Sequence, residues 1–470
     1  MPHITGKKVK IVATLGPASS SKEIISGLVR EGVNVFRINL SHSSAEDAVQ
    51  LVNRIRSIER VFKRPIAILA DLAGPKIRIG MVPKDTILQP GDFIRIARHV
   101  KELSRDVISV NFPGIIQHLK EGSVIYLGDG AIKLVVTGRL DNGVKARILA
   151  GGLLLSRMGF AVEGLGIQKF SLLPKTKKDV RVMSRAGVDA FAVSFVQTAH
   201  DMEMIRQLLP KENQPMLIAK IETHASVHNA EAILDVSDGL MIARGDLGFS
   251  IPMAELPFVQ KELIALALKK AKPVITATQM LESMINNHLP TRAEVTDVSN
   301  AILDGTDAVM FSAETAIGKF PEEVVRTAVK IIKTAITHIT PREFPESDMT
   351  ADAINAAVGK IADQVKAKLI IVFTVTGAAA RHIARHRQQQ PIIALSPNNA
   401  TARRLSFSWG ISPEYVVVKR DFAGMLTSSH QAARFNRVNC LKKGDRFVIS
   451  CGLPFAQSGT TNMVLVEEVK

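Results

Sequence analysis

The chain has 470 residues, of which 46% are apolar and 22% charged, and its formal charge is +16. At roughly 150 residues per domain this length holds about three domains, and the ordinary composition excludes a disordered, collagen-like or disulfide-stapled chain. Only Cys440 and Cys451 are present, which points to a reducing compartment and hence the cytoplasm. The apolar stretch behind the N-terminal lysines is interrupted by Lys10 and too short for a secretion signal. No run reaches the roughly 20 apolar residues of a membrane span. The basic charge suits nucleic acid, a membrane surface or small anions. With two Tyr and one Trp, stacking platforms for single strands are few, so phosphorylated small molecules are favoured.

Short apolar, β-branched runs recur along the chain, each followed by a polar or glycine cluster and a helical stretch. They are VKIVATLG (from Val9), VNVFRINLSH (Val33), IAILADLAG (Ile66), DAFAVSFVQ (Asp189), MLIAKIET (Met216), GLMIARGD (Gly239), PVITATQM (Pro273) and DAVMFSAET (Asp307). Nearly continuous apolar runs separated by helices such as Pro257 to Lys270 are the pattern of buried parallel strands. Eight such units predict an α/β fold built on a (β/α)8 barrel. The stretch from Gly80 to Pro174 breaks the rhythm. Hairpin signals at Leu88–Asp92, Gly128–Gly130 and Asp141–Gly143 predict a small β-barrel lid inserted after the third strand. After the connector TPREFPESD the pattern becomes αβαβ with further strands, a third domain with its own sheet. The expected boundaries are 1–77 and 170–342 for the barrel, 78–169 for the lid and 343–470 for the C-terminal domain.

Active sites of such barrels lie at the C-terminal strand ends, and alternate strand residues share a face. The second strand offers Arg37, Asn39 and Ser41 with His42 next, and the third ends in Asp71. The fifth carries Lys220 and Glu222, the sixth Arg244 and Asp246, the seventh Thr276 and Thr278, and the eighth Ser312 and Glu314. A lone strand-end charge is ordinarily a solvated tip or a satisfied ion pair; six strands with polar ends form a constellation. Glu222 and Asp246 are two hard oxygen donors suited to Mg²⁺ completed by substrate and water. Arg37 suits a phosphate or carboxylate, and Lys220 is a point charge for an oxyanion, a Schiff-base nucleophile or a partner of Glu222. Carboxylates, a metal, an Arg and a Lys together favour phosphoryl or enolate chemistry. Neither a G-x-x-x-x-G-K-[ST] loop nor a protein-kinase glycine loop occurs.

The segments KIVATLGPAS, FRINLSH, DLAGPKIR, AVSFVQ, AKIETH, ARGDLG, ATQMLESM, PTRAE and FSAETAIGKFP resemble the pyruvate kinase family throughout the chain, and so does the domain order. The resemblance implies phosphoryl transfer from phosphoenolpyruvate to ADP, giving pyruvate and ATP, as the last step of glycolysis. It implies a catalytic Mg²⁺ (or Mn²⁺) on Glu222 and Asp246, and Lys220 stabilising the transferring phosphoryl and the enolate. Gly245, Asp246 and Thr278 would hold the substrate carboxylate, Thr278 taking part in enolate protonation. Arg37 would clamp the phosphoryl group, Asn39, His42, Arg78 and Arg157 would serve the nucleotide, and Ser312 a proton relay. Asp129 would approach on a closing lid. A homotetramer is implied as well.

Three departures stand out. Many family members have Thr-Lys and then Glu at the positions of Leu72-Ala73 and Lys76, and that Glu accompanies a K⁺ requirement, whereas Lys accompanies independence from it. The other K⁺-type ligands, Asn39, Ser41, Asp71 and the Leu72 carbonyl, are retained, so weak or absent K⁺ activation is expected. Met158 stands where the family usually has a nucleotide-contacting lysine. The loop Thr374-Val-Thr-Gly-Ala-Ala-Ala-Arg resembles the family's sugar-phosphate loop, with Ala379 in place of a phosphate-binding serine. Thr374, Thr376, Gly377 and Arg381 then predict an effector site for a monophosphorylated sugar or AMP. His382 and His386, with Arg381 and Arg385, are read as a solvated basic helix face rather than a metal site. Alternatives of other classes are a phosphoenolpyruvate mutase or lyase barrel and a basic nucleic-acid-binding protein. Neither nucleic acid nor membrane is an expected partner.

Overall fold

The computed structural model describes residues 7–41, 43–74, 77–98, 104–128, 130–163, 172–345, 349–417, 421–435, 441–454 and 459–470. The chain opens with β1 (Lys10–Leu15), β2 (Val35–Asn39) and β3 (Ala67–Leu72), alternating with helices Lys22–Glu31 and Ala45–Phe62. Both helices begin where a serine hydroxyl accepts a backbone N–H of the first turn, Ser21 from Ile24 and Ser44 from Asp47. The first ends at Gly32, whose φ of 122° lets its N–H return to the carbonyls of Leu28 and Val29.

An all-β segment follows, made of β4 (Thr86–Leu88), β5 (Phe93–Ala97), β6 (Val107–Ser109), β7 (Val124–Leu127), β8 (Ile132–Leu140), β9 (Gly143–Ala150), β10 (Gly152–Leu154) and β11 (Phe160–Val162). Six of these strands form one sheet in the order β11-β7-β8-β9-β5-β6 around a separate apolar core including Ile96, Ile125, Leu134 and Ile148. β7 with β8, and β8 with β9, are antiparallel neighbours, as the Gly and Asn residues between them predict. The Leu88–Asp92 turn does not form the expected hairpin. β4 pairs with β10, while β5 pairs with β9. Gly151 brings its backbone so close to Leu88 that an added Cβ would lie 2.1 Å from the Leu88 carbonyl oxygen, and that approach draws β10 onto β4.

The parallel strands then resume as β12 (Ala190–Val193), β13 (Met216–Ile221), β14 (Gly239–Ala243), β15 (Val274–Ala277) and β16 (Ala308–Phe311). The eight parallel strands close in the order β1-β16-β15-β14-β13-β12-β3-β2. Their residues are buried on both faces: one set packs on the surrounding helices, and Val12, Leu69, Ala192, Ile218, Met241 and Ile275 fill the interior. The (β/α)8 expectation is thus met.

The PTRAE segment has a local cause. Thr291 and Glu294 cap the helix Arg292–Leu303 reciprocally, Glu294 N–H donating to Thr291 Oγ1 at 3.2 Å and Thr291 N–H to Glu294 Oε2 at 2.7 Å. Glu294 also accepts from Ser283 N–H at 2.7 Å, which ties the cap to the ATQMLESM loop.

The C-terminal unit has a five-stranded sheet of β17 (Leu369–Phe373), β18 (Ile392–Ser396), β19 (Ile411–Tyr415), β20 (Arg446–Gly452) and β21 (Thr461–Glu468), in the order β19-β18-β17-β20-β21. Only β21 runs antiparallel. This unit docks on the barrel at the N-terminal ends of the strands. Asp307, just before β16, accepts from Trp409 N–H at 2.8 Å and pairs with Arg387 at 3.1 Å. Lys10 donates to the Ile411 carbonyl, and Arg403 pairs with Glu59 at 2.9 Å. Packing within the C-terminal unit and against its connector corrects the expectation of a solvated basic face. His382 Nδ1 lies 2.7 Å from Asp352, His386 Nδ1 lies 3.0 Å from the Arg342 carbonyl, and Arg385 sits 5.0 Å from the Phe344 ring centroid. Neighbouring elements cover this face. Among the described residues no helix is long and apolar enough to cross a membrane, and Cys451 is buried and free.

Candidate active site

At the opposite, C-terminal mouth of the barrel, adjacent strands place charges in contact. Arg37 on β2 donates through Nε to Asp71 Oδ2 at 2.7 Å and through Nη1 to Thr14 Oγ1 at 3.1 Å. Lys220 on β13 lies 2.7 Å from Glu222 Oε1 and 3.4 Å from Asp71 Oδ1. Burial opposes charge on Lys220, but Asp71 and Glu222 outweigh it and push its pKa up. Burial likewise opposes ionised Asp71, and Lys220 with Arg37 overcomes it, holding Asp71 low. Glu222 goes the other way: its burial, reinforced by the Asp246 charge, outweighs Lys220 and raises its pKa. The two carboxylates of this pair are close enough to repel. They offer hard oxygen donors without a third His, Cys, Asp or Glu grouped with them among the described residues. Such a sparse acidic pair fits a cation that keeps water and substrate oxygens in its shell.

Two backbone kinks shape the rest. Phe195 has a φ of 56°, and its N–H donates to Glu222 Oε2 at 2.7 Å. Thr278 and Gln279 have φ of 70° and 52°. Thr278 Oγ1 accepts from Gly245 N–H at 2.7 Å and donates to the Ala277 carbonyl at 2.6 Å. Strain of this kind persists only where the surroundings enforce it, and Arg244 does so. Its Nη2 donates to the carbonyls of Thr278 and Gln279, while Nη1 pairs with Asp297 at 2.7 Å.

The expected strand-end set is therefore sorted by the structure. Arg37, Asp71, Lys220 and Glu222 form one connected cluster, with Gly245 and Thr278 bonded to each other in the neighbouring loops. Arg244 turns away from the mouth as a brace. Thr276 is fully buried and bonds Thr306 at 3.0 Å, and Glu314 accepts N–H groups of Leu281 and Ser312. β14 and β15 end at Ala243 and Ala277, so the two-residue alternation stops before Arg244 and Thr278. Asn39 Oδ1 accepts from Ser41 N–H at 3.0 Å, and Ser312 precedes the short helix Ala313–Ala316.

Ser194 was missed by sequence reasoning. Its buried hydroxyl accepts from Lys220 Nζ at 2.8 Å and donates to the Leu72 carbonyl at 2.9 Å. The signal was a polar residue ending the run Ala-Phe-Ala-Val, on a strand whose end was passed over.

On the lid, Arg78 donates to the Arg157 carbonyl at 3.0 Å and pairs with Gly159 in an isolated bridge. Met158 packs against the lid core, beside Gly128. Tyr126 meets Phe249 of the barrel at a tilt of 44°, with centroids 5.4 Å apart, joining lid to mouth. His42, Lys76 and Asp129 lie outside the described residues. In the C-terminal loop, Thr374 Oγ1 accepts from Gly377 N–H at 2.9 Å and Thr376 Oγ1 from Ala378 N–H at 3.4 Å. Arg381 reaches the Thr376 carbonyl at 3.5 Å.

Comparison with known proteins agrees with this arrangement. The family profile "Pyruvate kinase, barrel domain" matches residues 6–325, and "Pyruvate kinase, alpha/beta domain" matches 352–467. The chain is 37% identical to the "Pyruvate kinase" of Thermotoga maritima over 470 residues, covering 98% of this chain and 100% of the relative. It is 38% identical to the "Pyruvate kinase" of Agrobacterium vitis, covering 99% of each. "Pyruvate kinase 2" of Synechocystis is 37% identical, with 99% of this chain and 80% of the relative covered. Barrel, inserted sheet, C-terminal αβ unit and near full-length similarity converge: the chain belongs to the pyruvate kinase family and is a phosphotransferase.

Proposed function

We infer that the enzyme transfers the phosphoryl group of phosphoenolpyruvate to ADP, giving pyruvate and ATP. The observation that carries this reading is Lys220, buried and held cationic between Asp71 and Glu222. A lysine kept protonated is a charge stabiliser and not a Schiff-base nucleophile. Lys220 faces the charge that develops as the phosphoryl–enol oxygen bond breaks and an ADP phosphate oxygen attacks. Arg37, fixed by Asp71 and Thr14, clamps the phosphoryl oxygens. Gly245, Asp246 and Thr278 hold the substrate carboxylate. Thr278, backed by Ser312, stands on the path of the proton that converts the enolate carbon into the methyl group of pyruvate. Positioning and electrostatics supply the rate enhancement.

Glu222 and Asp246 would hold Mg²⁺ or Mn²⁺, which neutralises charge on phosphoryl and carboxylate oxygens. Asn39, Ser41, Asp71 and the Leu72 carbonyl form the K⁺-type site, with the Lys76 ammonium replacing the cation. Asn39, His42, Arg78 and Arg157 serve the nucleotide, Asp129 approaching with the lid; Met158 lends no charge there. The loop of Thr374, Thr376 and Gly377, with Arg381, is the site for a sugar monophosphate or AMP, which must displace the threonine hydroxyls from its N–H groups. We place the enzyme in the cytoplasm, as a homotetramer in glycolysis.

The test is turnover coupled to lactate dehydrogenase. Oxidation of NADH that requires phosphoenolpyruvate, ADP and a divalent cation together is expected. Absence of that joint requirement, or salt-sensitive DNA retention without turnover, overturns the reading.

A further inference from the structure

The helix Arg244–Ser250 follows β14 at the mouth and is anchored there at both ends. At its start, Gly245 N–H donates to Thr278 Oγ1 and Arg244 pairs with Asp297. At its end, Ser250 Oγ accepts from His224 N–H at 3.2 Å, close behind Glu222 in the chain. Leu247, between them, is fully buried in the barrel core. Phe249 lies one turn beyond Gly245 and is half-buried. It is therefore fixed relative to the residues that would hold substrate.

The inserted sheet meets Phe249 with a ring that is itself held. Tyr126 on β7 is the cross-strand partner of Lys133 on β8, whose ammonium lies 5.4 Å from the ring centroid. The Tyr126 hydroxyl donates to Glu163 Oε2 at 3.4 Å. The turn between β7 and β8 comes just as near: a Cβ built on Gly130 would lie 3.1 Å from Phe249 Cε1. A tilted ring pair at this separation is worth more than the area it covers. Both rings are thus preset by their own surroundings, one by the mouth and one by the lid.

We propose that Phe249 is a positioning residue for phosphoryl transfer: a fixed aromatic post at the mouth on which Tyr126 seats, setting where the inserted sheet stands over the reacting phosphates. The proposal rests on the function inferred above. Phe249 does not touch substrate; it acts through the lid. A lid seated on it excludes water and keeps Arg78 and Arg157 in register with Lys220 and Arg37. Without the post, the mouth keeps its carboxylate and metal ligands and loses that register. The nucleotide side of the reaction then suffers, and phosphoenolpyruvate binding does not.

The test compares the full-length wild type with Phe249→Ala, Tyr126→Ala, the double variant and Tyr126→Phe. In the first arm, steady-state kinetics, KM for ADP should rise about fivefold in F249A and in Y126A, with KM for phosphoenolpyruvate within twofold of wild type. The double variant should be no worse than either single one, because both remove the same contact. Y126F, which keeps the ring and loses the hydroxyl, should behave as wild type. The second arm needs no turnover. Spin labels at the exposed positions of Asp141 on the lid and Glu212 on the barrel, placed by Asp141→Cys and Glu212→Cys in a Cys440→Ser background, report the lid-to-barrel distance by pulsed electron paramagnetic resonance. That distribution should broaden in F249A and Y126A and stay narrow in Y126F. An equal rise of both KM values, additive losses in the double variant, or unchanged kinetics overturns the proposal. So does an unbroadened distance in F249A and Y126A, whatever the kinetics. Absence of turnover in the wild type falls instead on the inferred reaction, and the distance arm then decides on the post alone.

Discussion

Lys220 Nζ donates to Ser194 Oγ, and Ser194 Oγ in turn donates to the Leu72 carbonyl. A neutral hydroxyl thus fixes the Lys220 ammonium to the strand that would also supply cation-site ligands. Removing it leaves Lys220 with Asp71 and Glu222 but loosens its position. Ser194→Ala is expected to lower kcat about tenfold, the cost of one hydrogen bond to a charged group. KM for phosphoenolpyruvate should change little. Steady-state kinetics check this, and an unchanged kcat would falsify the positioning role.

Glu222 titrates above the usual carboxylate range because of its burial and the nearby Asp246 charge. Protons and a divalent cation therefore compete for it. Apparent Mn²⁺ affinity, measured by electron paramagnetic resonance, should fall as pH drops through this elevated pKa. Glu222→Gln should lower kcat at least ~100-fold and abolish that pH dependence.

Lys76 sets the expectation for monovalent ions. Turnover in buffer free of K⁺ and Na⁺ should remain within about twofold of that with K⁺, a difference of under ~0.5 kcal/mol. Lys76→Glu should make the enzyme K⁺-dependent, since a carboxylate at that position recruits the cation. A collapse of wild-type activity without K⁺ sinks the assignment.

Lys10 is buried under the C-terminal unit, and burial lowers its pKa to about 7, with Arg64 adding to the effect and Asp307 opposing it. The unfolded chain therefore holds this proton more tightly than the folded one. The penalty for a charged Lys10 is fully present below pH 7 and is relieved as pH rises from there towards the pKa of a free lysine. The wild type should gain Tm relative to Lys10→Met across that interval. A Tm difference that stays flat between pH 7 and 10 contradicts the shift.

Asp307 neutralises the fully buried Arg387 and receives the Trp409 N–H. Asp307→Ala leaves a guanidinium unpaired in the domain interface, a loss of roughly 3–5 kcal/mol. Urea denaturation should show the loss, and separation into two transitions would show that the same contact couples barrel and C-terminal unit.

The barrel was legible because its strands are apolar on both faces, and the mouth because Arg37, Asp71, Lys220 and Glu222 sit on regular strands with alternating side chains. Legibility ended where regular geometry ended. Arg244 and Thr278 lie past the last strand residue, so their directions follow from positive φ and from an ion pair to Asp297, neither of which has a period. Ser194 is one small hydroxyl in an apolar run, and its role exists only through Lys220, 26 residues away. The Leu88–Asp92 turn misled because local turn chemistry does not name the partner strand; Gly151 does, from across the sheet. The basic face around His382 was misread because cover from Asp352 and from the connector at Arg342 and Phe344 leaves no mark on a single helix.

The seam between β3 and β12 is expected to close late in assembly. Leu69 pairs with Ala190 in an uninterrupted barrel ladder, yet the whole inserted sheet lies between them in the chain. Bringing those ends together carries a loop-closure cost that grows only slowly with length but must be met before the seam is rewarded. The insertion has its own core and hairpins between sequence neighbours. Collapse of the insertion first would shorten the effective loop. Closure of the seam is then the expected slow step, and a chain stalled before it would expose two open strand edges to aggregation.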